Sequence, residues 1–164
     1  MLDEIDILLV EDNLNDAEFT VRILSSRHVV HLVRDGAEAV DFLFGTGEYA
    51  DRDVRVQPKL ILLDLKLPKM NGLEVLRRLK TDPRTAAIPV VVFTSSNQPR
   101  DIEEGYRLGA NSYVVKPVDF AHFTAAVRMI GTYWLDLNEI AAKPMVSNRA
   151  EETRDSHTVA SADP

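Results

Sequence analysis

The sequence predicts an α/β protein built on a doubly wound parallel sheet of five strands. Five short apolar runs recur along the chain, at residues 5–10, 29–33, 60–64, 88–94 and 112–115. Most are apolar at consecutive rather than alternate positions, the pattern of strands covered on both faces. Each is followed by a segment with apolar residues at helical spacing, joined by short connections, so strand and helix alternate along the chain. Right-handed crossovers leave few ways to assemble five such units.

The elements follow in order. The first strand, 5–10, contains Ile7-Leu8-Leu9-Val10 and stops at Glu11-Asp12. Residues 16–26 place Phe19, Ile23 and Leu24 at helical spacing. The second strand, 29–33, ends at an Asp35-Gly36 turn, and a short helix covers 37–44. Residues 45–58 are polar and turn-rich and read as a surface excursion. Leu60-Ile61-Leu62-Leu63 makes the third strand, which stops at Asp64. After a loop at 68–72, Leu73, Leu76 and Leu79 mark a helix that Pro83 ends. The fourth strand, 88–94, runs into Thr94-Ser95-Ser96, and a helix over 99–108 has Gly109 at its C′ position. The fifth strand, 112–115, leads into Lys116-Pro117 and a last helix over 120–137. Beyond Lys143 large apolar side chains almost vanish. Residues 1–142 are therefore predicted as one domain and 143–164 as a polar, disordered tail.

Composition narrows the function. Hydrophobic residues make up 45% of the 164, enough for a core, and the 27% charged is ordinary for a soluble globular protein. A net charge of −7 without a basic stripe argues against nucleic acid as a partner. The absence of cysteine excludes disulfides, thiol nucleophiles and thiolate metal sites. No apolar run approaches the roughly 20 residues of a membrane span. The acidic start, Met-Leu-Asp-Glu-Ile-Asp, is not a signal peptide, and a cytoplasmic location is expected.

The chemistry sits at the strand ends. In an open α/β sheet the ligand crevice lies beyond the carboxyl ends of the strands. Glu11-Asp12 and Asp64 would bring three carboxylates into that crevice, where they repel one another. A divalent cation relieves this most simply, and an all-oxygen ligand set suits Mg²⁺. Thr94 at a third strand end and Lys116 at a fourth add a hydroxyl donor and a cation. Singly, each residue has a plainer reading: Asp64 or Glu11-Asp12 as helix caps, Thr94 and Ser95 likewise, Lys116 as a solvated surface lysine. Four such groups at four strand ends, in one chain, are far more specific than any one.

This set resembles the receiver domain of two-component response regulators, over nearly all of residues 5–135. Thr94 lies 30 residues after Asp64 and Lys116 lies 52 after it, both receiver intervals, and Asp64-Leu65-Lys66-Leu67-Pro68-Lys69-Met70-Asn71-Gly72 is similar to the loop after a receiver's phosphoacceptor. The resemblance implies a flavodoxin-like sheet in the order 2-1-3-4-5. It makes Asp64 the acceptor of a phosphoryl group from a sensor histidine kinase. Asp12, Asp64, Glu11 and the Lys66 backbone carbonyl would hold Mg²⁺. Thr94 would bond the phosphoryl group, Lys116 would pair with it, and Tyr113 would be the switch aromatic. Lys116–Pro117 would be a cis peptide bond. Such a protein is a phosphoacceptor rather than an enzyme. The competing readings are an aspartyl-phosphate hydrolase, a flavodoxin-like cofactor binder and a non-phosphorylated docking scaffold. A hydrolase wants a second acid two residues after the nucleophile, and that position is Lys66; a flavin site wants a Ser/Thr/Gly-rich loop where this chain has Glu-Asp-Asn-Leu-Asn.

The long interval from Asp12 to Asp64, the Thr-Ser-Ser-Asn-Gln-Pro segment at 94–99 and Tyr133-Trp134-Leu135 resemble receivers that serve bacterial phytochromes. With no output domain expected after residue 137, signalling would proceed by protein contact or by passing phosphate to a downstream phosphotransfer protein. Val127, Ile130, Trp134 and Leu137 at helical spacing, with Tyr133 beside them, exceed one packed face and are predicted to form a homodimer surface.

Overall fold

The computed structural model describes residues 4–141. The predicted polar tail, 143–164, lies outside the described residues. Strands β1 (Ile7–Val10), β2 (Val30–Val33), β3 (Leu60–Leu63), β4 (Val90–Thr94) and β5 (Ser112–Val115) form one sheet in the order β2-β1-β3-β4-β5, every neighbouring pair parallel. Between them run α1 (Leu14–Leu24), α2 (Gly36–Phe44), α3 (Gly72–Thr81) and α4 (Pro99–Arg107), and α5 (Phe120–Gly131) follows β5.

Consecutive strand residues point to opposite faces, so each apolar run supplies two cores at once. Leu8, Val10, Ile61, Leu63, Val90 and Val92 meet Phe42, Leu43, Val75, Leu76 and Leu79 from α2 and α3. Ile7, Leu9, Leu60, Leu62, Val91 and Phe93 meet Leu24 of α1 and Phe123, Val127 and Ile130 of α5. Fully burying each such side chain stabilises the fold by about 1.5–3 kcal/mol. This two-sided covering fixes the register and with it the strand ends.

Three local features differ from the sequence reading. The first helix starts earlier, because Asn13 rather than a later residue is its N-cap, its side chain accepting from the Asp16 N–H at 3.0 Å. The last helix does not continue unchanged to 137: from Thr132 to Leu137 it widens into a π turn. Bonds spanning five residues advance the helix less per residue. The stripe of Val127 and Ile130 therefore does not continue to Leu137, which is exposed.

Residues 45–58 are more than an excursion. After a 3₁₀ turn at Gly47–Tyr49, Arg52 lays its guanidinium 4.0 Å from the centre of the Phe42 ring and donates to the Phe42 carbonyl at 2.9 Å and to the Val56 carbonyl. Tyr49 meets Phe42 edge-on at 5.1 Å and donates its hydroxyl to Glu38 Oε1 at 2.9 Å. His31, on the edge strand β2, stacks on the same Phe42 ring at 4.4 Å.

Candidate functional site

The parallel register brings the reactive ends together. Val10 pairs with Leu63, so Glu11 and Asp64 leave the sheet side by side, and the Asp64 N–H donates to the Val10 carbonyl at 3.0 Å. Thr94 pairs with Val115, and the Lys116 N–H donates to the Thr94 carbonyl at 2.7 Å, which carries Lys116 one step past the sheet edge. Glu11, Asp64 and Thr94 are buried and Asp12 is exposed. One carboxylate oxygen from each of Glu11, Asp12 and Asp64 lies within 4.8 Å of the others.

Lys116 is the counter-ion of this crevice. Its Nζ is 3.0 Å from Glu11 Oε1 and Oε2, 3.0 Å from Asp64 Oδ2 and 2.9 Å from Asp16 Oδ2. Burial would lower the lysine, but its hydrogen bond to Asp16 and the charges of Asp64 and Glu11 outweigh burial and hold it above its ordinary range. Burial, then the adjoining Asp64, pushes Glu11 up to about 8 despite Lys116. Burial works against ionisation of Asp64 too, but Glu11 as donor and Lys116 as charge hold it below the ordinary carboxylate value. The two carboxyls interact closely enough to titrate as a coupled pair, with Glu11 displaced upward and Asp64 downward.

The loop after β3 presents Asp64. Its Oδ1 accepts from the Leu65 N–H at 2.7 Å, which turns Oδ2 toward Lys116. The loop closes through Met70 N–H to the Pro68 carbonyl at 2.7 Å and Gly72 N–H to the Leu65 carbonyl at 2.9 Å. Gly72 opens α3 so close to the strand end that a Cβ there would sit 2.2 Å from the Asp64 carbonyl oxygen. Asn71 caps the helix, accepting from the Glu74 N–H at 3.0 Å. Among the described residues the Lys66 carbonyl accepts no backbone hydrogen bond, which leaves both its lone pairs open to a cation.

Tyr113, half-buried on β5, donates its hydroxyl to the Ser96 carbonyl at 2.9 Å, so the aromatic is tied to the loop that follows Thr94. Two expectations are corrected. There is no cis peptide bond among the described residues, so Lys116–Pro117 is trans. The trans form is the ordinary preference of an X–Pro bond, and Lys116 Nζ reaches all its carboxylates from it. Of the residues expected on a surface between two copies, Val127 and Ile130 are in the core, packed against the sheet through α5; Trp134 is half-buried against that core, while Tyr133 and Leu137 are exposed.

Sequence reasoning missed Asp16. It was read only as the start of a helix, yet it is a direct partner of Lys116. The available signal was an acid in the first turn of the helix that follows Glu11-Asp12, on an element that begins at the crevice.

The response regulator receiver domain family matches residues 7–128. The response regulator Rcp1 of Synechocystis is 38% identical over 133 residues, 79% of this chain and 88% of Rcp1. The crystal structure of the Mn²⁺-bound form of Rcp1 superposes with a TM-score of 0.79 at 37% identity, over 84% of this chain and 99% of that one. The phosphorylated cyanobacterial phytochrome response regulator RcpA gives 0.79 at 39% identity, over 85% and 99%. The bacteriophytochrome response regulator RtBRR gives 0.66 at 45% identity, over 84% of each chain.

Proposed function

This chain belongs to the response regulator receiver domain family, and on that premise we propose that Asp64 is its phosphoacceptor and that the donor is a sensor histidine kinase of the bacterial phytochrome class. It is a receiver-type signalling protein that works by accepting phosphate. The observation that carries the assignment is Asp64 itself, at a buried strand end with Oδ2 3.0 Å from the Lys116 ammonium. The likeness to phytochrome regulators supports the kinase class.

A carboxylate oxygen of Asp64 bonds to phosphorus as the P–N bond of the donor phosphohistidine breaks, and the imidazole nitrogen leaves with the electron pair. The product is an acyl phosphate. Positioning and charge neutralisation supply most of the catalysis of such a transfer. Lys116 neutralises phosphoryl oxygens beside Asp64, and the Thr94 hydroxyl donates to another. The Leu65 N–H holds the nucleophile's other oxygen in place.

The donor set fits a divalent cation, since hard carboxylate oxygens cluster tightly and one contributor, Asp12, is open to solvent. Glu11, Asp12, Asp64 and the Lys66 carbonyl would hold it, and Mg²⁺ is the ion proposed. When bound it supplies positive charge to the crowded carboxylates and to the phosphoryl oxygens.

The test is acetyl phosphate followed by intact-mass measurement. Wild type is expected to gain one phosphoryl group when Mg²⁺ is present and none when it is chelated, and Asp12→Ala to gain at least tenfold less. A phosphorylated bacterial phytochrome kinase should transfer faster than an unrelated histidine kinase. Equal labelling with and without Mg²⁺, or in Asp12→Ala, would remove the metal assignment; equal transfer from both kinases would remove the phytochrome one.

A further inference from the structure

Lys116 has more acceptor oxygens within reach than it has donors. An ammonium carries three N–H groups, yet Nζ lies within 3.0 Å of four carboxylate oxygens, from Glu11, Asp64 and Asp16. Glu11 and Asp64 stand at strand ends, as the phosphoryl chemistry requires. Asp16 comes instead from the first turn of α1. In a capping box the glutamate or glutamine at this third helical position reaches back to the backbone N–H of the N-cap residue. Here that N–H, on Asn13, donates to Glu11 Oε1 at 3.2 Å. The Asp16 side chain is thereby left to turn toward Lys116. It is also the carboxylate that water reaches most easily: its side chain is 31% exposed, against 4% for Glu11 and 8% for Asp64.

We propose that Asp16 is a positioning residue that competes with the phosphoryl group for Lys116, holding the ammonium at the mouth of the crevice in the resting protein and releasing it when Asp64 is phosphorylated. The proposal rests on Asp64 being the phosphoacceptor. A phosphoryl group adds strongly charged acceptor oxygens beside Asp64, and three donors cannot serve them and every carboxylate as well. The partner released at least cost is the one that regains water, because a buried carboxylate stripped of its counter-ion stays desolvated. Asp16 is that partner. Its ion pair stabilises only the resting arrangement, so it weakens the phosphoryl-bound one by the same amount.

The experiment is titration calorimetry of the full chain with beryllofluoride in the presence of Mg²⁺. Asp16→Asn is expected to bind about threefold more tightly than wild type, the size of effect that an ion pair with one accessible partner supplies. Asp16→Glu keeps a carboxylate within reach of the ammonium and is expected to return to the wild-type affinity. Glu18→Gln removes one charge from the same helix at a residue that pairs with Arg22 at 2.7 Å, and is expected to match wild type. An Asp16→Asn protein that binds no tighter than wild type overturns the proposal. So does Asp16→Glu behaving like Asp16→Asn, or Glu18→Gln tightening equally, which would make the effect one of bulk charge. A wild-type protein that binds no beryllofluoride would bring down the phosphoacceptor reading, and this one with it.

Discussion

Lys116→Met is expected to lower the melting temperature by roughly 6 °C or more when no divalent cation is present, and Mg²⁺ is expected to restore much of that loss. Removing one partner of a buried ion pair costs about 3 kcal/mol, because the charges left behind keep their desolvation and lose their compensation. For a chain of this size each kcal/mol shifts the midpoint by roughly 2–4 °C. Lys116 neutralises Glu11, Asp16 and Asp64 together, and its side chain is almost fully enclosed. Without it the crevice holds crowded carboxylates and no ammonium. A divalent ion answers the same repulsion, so the variant should gain more from Mg²⁺ than wild type does. Melting curves with chelator and with Mg²⁺ measure both effects. A variant as stable as wild type in chelator would show that Lys116 is not the counter-ion the geometry makes it.

Phe42→Ala is expected to be about as damaging, for a different reason. Phe42 is fully buried, and its ring receives the His31 imidazole, the Tyr49 edge and the Arg52 guanidinium. Truncating a buried phenylalanine costs about 3–5 kcal/mol through lost burial and the cavity left behind. Here it also removes the surface on which residues 45–58 rest. The global melt should fall by roughly 10 °C, and trypsin should cleave after Arg52 and Arg55 before the rest of the chain. A cost under about 1 kcal/mol, or no added cleavage there, would mean that residues 45–58 are held by contacts other than this ring.

These two sites also mark what could be read in the sequence and what could not. The strands were legible because parallel strands covered on both faces are apolar at every position, as Leu60-Ile61-Leu62-Leu63 is. Their ends were legible because a carboxylate, hydroxyl or lysine that follows such a run must sit at the sheet edge. Asp16 was not, since its helix begins two residues earlier than its apolar spacing suggests and its partner lies 100 residues away in the chain. The role of residues 45–58 was hidden for a similar reason. Arg52 and Tyr49 look like solvated loop residues until Phe42 and edge strand β2 are in place beneath them. The stripe through Val127, Ile130 and Leu137 misled because periodicity assumes a uniform helix, and the π turn breaks that phase. The expected cis bond before Pro117 came from family resemblance alone, with nothing local in the chain to demand it.

The central claim is that one carboxylate, Asp64, takes the phosphoryl group. It is tested most directly by reducing the acetyl-phosphate-treated protein with borohydride, which converts an aspartyl phosphate to homoserine, and mapping the product by peptide mass. The expected result is homoserine at position 64, in the tryptic peptide covering 60–66, dependent on Mg²⁺ and absent when Asp64→Asn is treated in the same way. Reduction at Glu11 or Asp12, or an Asp64→Asn protein that acquires phosphate as fully as wild type, would contradict it.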